Sequence, residues 1–310
     1  MNITGGLVEQ HIHGAFGCDF MNCSEKELLD CCNILTQYGI CAIFPTVMTD
    51  DTNLIKERIS IIKSAKLKQN SQSAQIIGIH LEGPFINPEK AGIHQKKYIL
   101  PLETDLFKTI DDDIIKIVTI APELDLSGNF ISYLKKREIK ISAGHTLSCN
   151  FDNVNQITHL YNAMGGFSHR VESPVVTALT NDKIYTELIA DSTHVNDNVL
   201  KITFKQRPLD KILLISDALP LSHSSKTEQI FAGQNIYNKN GKLINKDGTI
   251  AGSSSLLCDI VKNLTDKKLL KFEEAIKCAS LNQMQYHNIK NNLKVYWSEN
   301  NTIKKVEFVV

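Results

Sequence analysis

The sequence lacks an excess of charge of either sign. It has 34 Lys and Arg residues against 34 Asp and Glu residues, so its formal net charge is zero. Chains that bind nucleic acid or anionic membranes through bulk charge carry a basic excess, which is missing here. The sequence also has no apolar run of the roughly 18 residues that a membrane-spanning helix needs. We therefore expect neither nucleic acid nor a membrane among its partners.

Two further patterns are missing. The first residues, MNITGGLVEQHIHG, lack the basic region and apolar stretch of a secretory signal. None of the eight cysteines forms a CxxC pair. Reduced cysteines in apolar surroundings behave as small hydrophobic residues. We therefore expect free thiols in a cytoplasmic protein, rather than a disulfide framework or a sulfur metal site.

What the sequence does contain is an alternation of short apolar runs and helical patterns. The chain has 310 residues, of which 42% are hydrophobic, enough for one large core. Helical patterns at 25–38, 53–68 and 196–206 lie between apolar runs, whereas the connections 127–137 and 148–155 are short. The eight apolar runs are 6–13, 41–47, 75–81, 114–120, 140–143, 157–161, 184–190 and 211–216. Alternation predicts a parallel sheet, and eight units predict a closed (β/α)8 barrel, an α/β fold.

The region after the eighth run has a different pattern. Residues 229–249 contain the turn signals Asn240-Gly241 and Asp247-Gly248, which predict hairpins. Helical patterns follow at 254–264 and 272–280, and 293–310 predicts two strands around Glu299-Asn300-Asn301. We divide the chain into a catalytic barrel, 1–290, and C-terminal strands, 291–310.

Polar residues stand at or near the ends of six apolar runs. In a barrel of this type the C-terminal ends of all strands meet on one face, where active sites lie. Histidine and carboxylate are the ligands expected for zinc, iron or a similar divalent ion. These residues are His11 and His13 in HIHG, Glu82 in HLEGPF, His145 in SAGHT, His159 in THLYNAM, His194 in IADSTH and Asp217 in LLISDA.

Each residue taken alone has a simpler interpretation. A single histidine in a strand is more often a core residue than a ligand, whereas buried carboxylates are rarer, which favours Glu82 and Asp217. Within its run His80 is interpreted as pointing away from the side of Glu82. Together with His223 and His287 it is assigned a structural or surface role. His169 is left ambiguous because it stands beside Arg170.

Longer motifs carry a resemblance to a family. The chain resembles the N-acetylglucosamine-6-phosphate deacetylases of the amidohydrolase superfamily from about residue 5 to residue 285. The matching stretches, in family order, are HIHGAFGCDF, GIHLEGPFINPEKAGIHQ, TIAPE, AGHT, THLYNAM followed by Arg170, IADSTHV, SDA and GTIAGSSSL.

The resemblance implies a reaction and a set of roles. It implies a homodimer that removes the N-acetyl group of N-acetylglucosamine 6-phosphate in amino-sugar catabolism, using one or two divalent metal ions per chain, zinc or iron. Glu82, His145 and His159 would bind the main ion, His11 and His13 a second one, and Asp217 would be the catalytic acid–base. Arg170 would bind the substrate phosphate in the neighbouring subunit. The substrate-contacting positions would be His94, Asn162, Ala163, Arg170, His194, Ile250, Ala251 and Gly252.

The chain departs from the family at several points. The strands that precede HxH in the family are missing, so 291–310 is expected to be the remnant of a small β-sandwich. Its free edge would be covered by a dimer partner, a crystal neighbour or the chain's own loops. Gly165 follows NAM, Val171-Glu172-Ser173-Pro174 follows the arginine, and Ser192-Thr193 precedes His194. Whether the family's substrate fits this site is therefore an open question.

Three rival functions remain. The first is deacetylation of another N-acyl sugar phosphate, such as N-acetylgalactosamine 6-phosphate. The second is an inactive, truncated protein that only binds a ligand or partner. The third, a cyclic-amidase type of amidohydrolase, is disfavoured by LEGPF and THLYNAM.

Overall fold

The computed structural model of the chain describes residues 2–309. Its strands are β1 Asn2–Gly5, β2 Leu7–Ile12, β3 Gly14–Ala15, β4 Cys18–Asp19, β5 Ile40–Met48, β6 Gln75–Ile76, β7 Ile79–Glu82, β8 Ile115–Ile120, β9 Lys140–Ala143, β10 Gln156–Ile157, β11 Tyr185–Ile189, β12 Ile212–Ile215, β13 Glu228–Phe231, β14 Gln234–Lys239, β15 Lys242–Asn245, β16 Ile250–Ser253, β17 Leu293–Trp297 and β18 Ile303–Phe308. Its α-helices are α1 Glu25–Gln37, α2 Thr52–Lys68, α3 Thr104–Lys108, α4 Asn129–Lys136, α5 Pro174–Thr180, α6 Asp197–Gln206, α7 Leu257–Asp266, α8 Phe272–Ile276 and α9 Asn282–His287.

Eight parallel strands form a barrel. Their order is β2, β5, β7, β8, β9, β10, β11, β12. Hydrogen bonds close the seam between the two ends: Asp217 N–H donates to His11 O at 3.0 Å and His13 N–H to Ala218 O at 2.9 Å. The predicted (β/α)8 barrel is confirmed, with a small sheet region added to it.

The eight barrel strands fall at the eight predicted runs, with two differences. The third run is interrupted, because β6 and β7 are separate strands that both pair with β5. The sixth is only two residues long. The chain leaves β10 at once because His159 and Tyr161 have φ values of 27° and 81°, which no strand accommodates. This early exit lifts His159 out of the sheet.

Helices cover the outside of the barrel. Ser24 and Glu27 form a capping box that begins α1, and the buried side chains of Leu28, Cys31, Cys32 and Leu35 recur at helical spacing on one face. Helices α1 and α2 both contact β5. All eight cysteines are free thiols, as expected. Between β9 and β10, where the connection is short, the chain forms loops and no helix. None of the helices described is long and apolar enough to cross a membrane.

Besides the two-stranded antiparallel pair β3–β4, two larger antiparallel sheets flank the barrel. One is the meander β13–β14–β15–β16, in which Asn240-Gly241 forms the predicted tight turn with φ values of 54° and 83°. The other has the order β1–β17–β18, so the predicted C-terminal strands gain a partner from the N-terminal residues. Trp297 in β17 is fully buried and donates its Nε1–H to Thr4 Oγ1 at 2.9 Å. One edge of β17 is thus covered by the chain itself; the domain division remains a prediction, and Val310 lies outside the described residues.

Candidate active site and metal centre

The strand ends bring the predicted polar residues together. Glu82 ends β7, and His11, His145, His159 and Asp217 lie within two residues of the ends of β2, β9, β10 and β12. A pocket of about 180 Å³ opens above them and is lined by His13, Glu82, His145, His159 and Asp217 among other residues. Hence groups that are far apart in sequence share one buried site.

Glu82, His145 and His159 form the first cluster of donor atoms. Glu82 Oε1 lies 3.1 Å from His145 Nε2 and 3.0 Å from His159 Nε2, and the two nitrogens are 3.2 Å apart. His145 Nδ1 donates to Lys90 O at 2.7 Å, which leaves the Nε2 lone pair facing the cluster. Two nitrogens bound to a tetrahedral zinc at 2.0–2.1 Å would be separated by about 3.3 Å. The three residues therefore fit a divalent ion.

His11, His13 and Asp217 form the second cluster. His13 Nε2 lies 3.1 Å from Asp217 Oδ1 and 3.3 Å from Glu82 Oε2. His11 Nε2 lies 3.5 Å from both Glu82 Oε1 and Asp217 Oδ1. It is buried and has no hydrogen-bond partner among the described residues. A buried nitrogen left without a partner, aimed at two carboxylates, fits a second cation, with Glu82 between the two clusters.

Burial and neighbouring charge set the ionisation of the site. Burial raises the pKa of the Asp217 carboxyl, but the charge and hydrogen bonds of His11 and His13 lower it by more. Its net pKa is therefore below the ordinary value. Burial lowers the pKa of His94 to about 4, and the charge of His145 acts in the same direction. At neutral pH the site thus combines ionised carboxylates with a neutral imidazole at His94.

Backbone strain concentrates at the same place. His145, His159 and Asp217 have φ values of 48°, 27° and 53°, in the region that favours glycine. A side chain there costs on the order of 1–3 kcal/mol. The surrounding fold holds these residues in a conformation that they would not adopt alone, which aims each side chain at the pocket.

Most of the expected substrate-contacting residues line the pocket, but two do not. Gly252 packs beneath the wall, where an added Cβ would lie 2.7 Å from Leu219 and 2.9 Å from Asp217 O. Arg170 is exposed and donates from Nε to His169 Nε2 at 3.1 Å, outside the pocket. Those in the pocket wall are His94, Asn162, Ala163, His194, Ile250 and Ala251.

Sequence reasoning missed two buried carboxylates that hold site histidines. Asp191 Oδ2 accepts a hydrogen bond from His194 Nδ1 at 2.9 Å. Glu187 Oε2 lies 3.0 Å from His11 Nδ1. Both carboxylates stand in or beside the apolar run 184–190, and a carboxylate in a buried run is a usable signal because it needs partners.

The orientation predicted for His80 is wrong. Residues two apart on a strand point to the same face, so His80 points into the barrel interior like Glu82. There it contacts Gln10 O at 2.9 Å and Thr119 Oγ1 at 2.8 Å. His287, at the end of α9, is half-buried, and its Nε2 lies 2.8 Å from Gln10 Oε1. His223 lies near the surface, with Nε2 2.7 Å from Asp259 Oδ2.

Comparison with known proteins gives concordant results. No family model matches the chain. The chain is 34% identical over 260 residues to the N-acetylglucosamine-6-phosphate deacetylase of Bacillus subtilis (strain 168), covering 80% of this chain and 66% of that protein. It is 29% identical over 307 residues to the human protein of the same name, covering 91% of this chain and 74% of that protein.

A solved structure shares the whole fold. The N-acetylglucosamine-6-phosphate deacetylase of Thermotoga maritima superposes with a TM-score of 0.90 at 26% identity, covering 99% of this chain and 87% of that one. The chain spans between 66% and 74% of the length of the two curated relatives. Shared motifs, a shared barrel and paired donor clusters at its strand ends lead to one conclusion: the chain belongs to the N-acetylglucosamine-6-phosphate deacetylase family of the metal-dependent amidohydrolase superfamily.

Proposed function

We propose that this chain hydrolyses N-acetylglucosamine 6-phosphate to glucosamine 6-phosphate and acetate, a step of amino-sugar catabolism. The observation that carries the proposal is the pair of donor clusters at one pocket, in which Glu82 of the first cluster also lies within 3.5 Å of both histidines of the second. The name of the relatives supplies the substrate class.

The residues divide between two ions. Glu82, His145 and His159 would hold the main ion, and His11 and His13, with Asp217, the second. Imidazole and carboxylate donors suit zinc or iron. A bound divalent ion supplies Lewis acidity and lowers the pKa of water near it.

Asp217 would move the proton in the proposed reaction. Its lowered pKa keeps the carboxylate ionised at neutral pH, so it can accept a proton from the attacking water. The same carboxyl then delivers that proton to the nitrogen of the departing amine. His13 contacts Asp217 Oδ1 and fixes the direction of that oxygen.

His194 would stabilise the oxygen of the acetyl group as that oxygen gains negative charge. Burial lowers the pKa of His194, but the hydrogen bond and charge of Asp191 raise it by more. Asp191 also accepts from Ser253 Oγ at 3.0 Å, which anchors the carboxylate. His194 can therefore present an N–H to the developing oxyanion.

The pocket wall and Arg170 would bind the sugar phosphate. His94, Asn162, Ala163, Ile250 and Ala251 face the space in which the sugar would lie. Gly252 supports this wall from behind.

Arg170 lies outside its own chain's pocket, beside Phe167 and Val171, whose exposed fractions are 72% and 70%. Exposed apolar residues around an arginine favour an interface, so we propose a homodimer in which Arg170 reaches the partner's substrate phosphate. The free cysteines support a cytoplasmic location.

Acetate release from the purified, metal-loaded protein tests the proposal, with N-acetylglucosamine 6-phosphate and its galacto epimer assayed side by side and metal measured by elemental analysis. We expect metal in the protein and a higher kcat/KM for the gluco substrate. A higher kcat/KM for the epimer would move the assignment to the first rival. Folded, metal-loaded protein that binds the sugar phosphate without releasing acetate would favour the inactive binding protein.

A further inference from the structure

We propose that Glu187 is a positioning residue for the metal centre, which fixes His11 as a ligand of a second ion. The inference rests on the proposed metal-dependent function and extends it to a residue outside the two donor clusters described above. Glu187 lies in the middle of β11, is fully buried and does not line the substrate pocket.

Four donors surround the Glu187 carboxylate. Oε1 accepts from Gln10 Nε2 at 2.6 Å and from Gln156 Nε2 at 2.9 Å. Oε2 accepts from His11 Nδ1 at 3.0 Å and from the backbone N–H of His159 at 3.3 Å. Two neutral amides thus satisfy one oxygen, and the other oxygen faces two residues of the metal centre.

This arrangement fixes the orientation of the His11 ring. Because Nδ1 donates to the carboxylate, Nε2 is the ring nitrogen left to bind a cation, and it points between Glu82 and Asp217 with no hydrogen-bond partner among residues 2–309. A carboxylate behind a ligating imidazole sets its tautomer and raises its basicity. Turning the ring over would break the bond to Glu187 and leave Oε2 of this buried carboxylate with the His159 N–H as its remaining donor, which is costly.

The three histidines nearest Glu82 Oε1 differ in what stands behind them. His145 is backed by a carbonyl, Lys90 O, and His159 Nδ1 has no partner among the described residues. Of these three histidines, His11 is the one whose Nδ1 is hydrogen-bonded to a carboxylate, that of Glu187. Loss of Glu187 should therefore weaken the HxH half of the centre far more than the half built on His145 and His159.

The hydrogen bond from the backbone N–H of His159 to Glu187 links the two halves of the proposed metal centre. His159 has a φ of 27°, and its N–H is one of the donors to Glu187 Oε2. The same oxygen thus holds the ring of His11 and the backbone of His159. Glu187 therefore couples β2 to β10 beside the residues that would hold the ions.

The experiment is a metal titration of the full chain with cobalt or zinc, with bound metal measured by elemental analysis. Wild type should bind two ions per chain. Glu187→Gln should keep the first and lose affinity for the second by about 10- to 100-fold, because its amide would turn a donor toward other donors. Thr186→Val is the matched control: Thr186 Oγ1 is buried on the same strand and has no hydrogen-bond partner in the described part of the chain, so the affinities for both ions should stay unchanged.

A double-mutant comparison separates positioning from general damage. In a His11→Asn background, Glu187→Gln should cause no further loss of metal, because the ligand through which Glu187 acts is gone. Equal second-ion affinity in wild type and Glu187→Gln would overturn the inference and leave the proposed function standing. So would a wild type that binds one ion and releases acetate. A wild type that binds no metal and releases no acetate would overturn the proposed function itself.

A measurement on wild type covers the case in which Glu187→Gln does not fold. Nitrogen NMR of histidine-labelled, zinc-loaded protein reports which ring nitrogen binds metal. We expect His11 bound through Nε2, with a hydrogen-bonded proton on Nδ1 that exchanges slowly. Binding through Nδ1, or an unbound His11 ring, would overturn the inference.

Discussion

The Nε2 atoms of His145 and His159 lie 3.2 Å apart, and both face Glu82 Oε1. Two imidazole nitrogens and a carboxylate oxygen at this separation fit one cation. His159→Ala removes one nitrogen, so we expect loss of the tightly bound main ion and of turnover. Elemental analysis and acetate release measure both. The control is His223→Ala, which lies near the surface and contacts Asp259. Full metal content and activity in His159→Ala would exclude His159 as a ligand.

Asp217→Asn tests the acid–base role. The amide keeps the size of the side chain but cannot accept the proton of water. We expect the rate to fall by about 10²–10⁴, the scale of a positioned acid–base group. Substrate should still bind, which calorimetry on the variant measures. Turnover near that of wild type would remove Asp217 from the mechanism.

His194 and Asp191 are expected to act as a unit. His194→Ala should lower kcat by about 10²–10³, as for loss of an oxyanion donor. Asp191→Asn should lower kcat by less, since the ring stays but loses the carboxylate that raises its pKa. The double variant should be no slower than His194→Ala. Additive losses in steady-state kinetics would show that Asp191 acts independently.

Arg170→Ala should raise KM for the phosphorylated sugar far more than for the unphosphorylated one. A charged hydrogen bond contributes roughly 1.5–3 kcal/mol, which is about ten- to a hundredfold in affinity. Exposed Lys97 offers a control cation, so Lys97→Ala should leave both KM values unchanged.

Mixing Arg170→Ala with Asp217→Asn chains tests whether the arginine crosses between subunits. A mixed dimer has one site with both groups intact, so partial activity should return. If mixed dimers form and activity stays absent, Arg170 acts within its own chain or has no role in the reaction.

Trp297 ties the N-terminal strand to the C-terminal strands. Its ring is fully buried, so Trp297→Ala should lower the free energy of unfolding by about 3–5 kcal/mol. Thr4→Val removes only the oxygen that accepts from Trp297 Nε1 and should cost about 1–3 kcal/mol. Urea unfolding measures both, with exposed Ile3→Ala as the control. No loss in either variant would mean that β1 contributes little to stability.

The sequence predicted what depends on local pattern. Apolar runs located all eight barrel strands, and polar residues at their ends located the two donor clusters, because a parallel barrel gathers strand ends on one face. The pairing of β1 with β17 joins residues nearly the full chain length apart, which no local pattern encodes. The role of Glu187 likewise depends on contacts with β2 and β10. The orientation predicted for His80 is wrong for a local reason: His80 and Glu82 are two residues apart on β7, so their side chains share a face.

The left-handed backbone at His145, His159 and Asp217 creates a conflict between the stability of the fold and the proposed chemistry. Glycine would relieve the backbone strain at each of these positions, but it has no imidazole or carboxylate side chain to bind a metal ion or move a proton. Stability and catalysis therefore favour different residues at these three positions, and mutations that improve one property should tend to reduce the other. Selection of a variant library for heat resistance alone should therefore enrich variants that keep the barrel fold but lose activity.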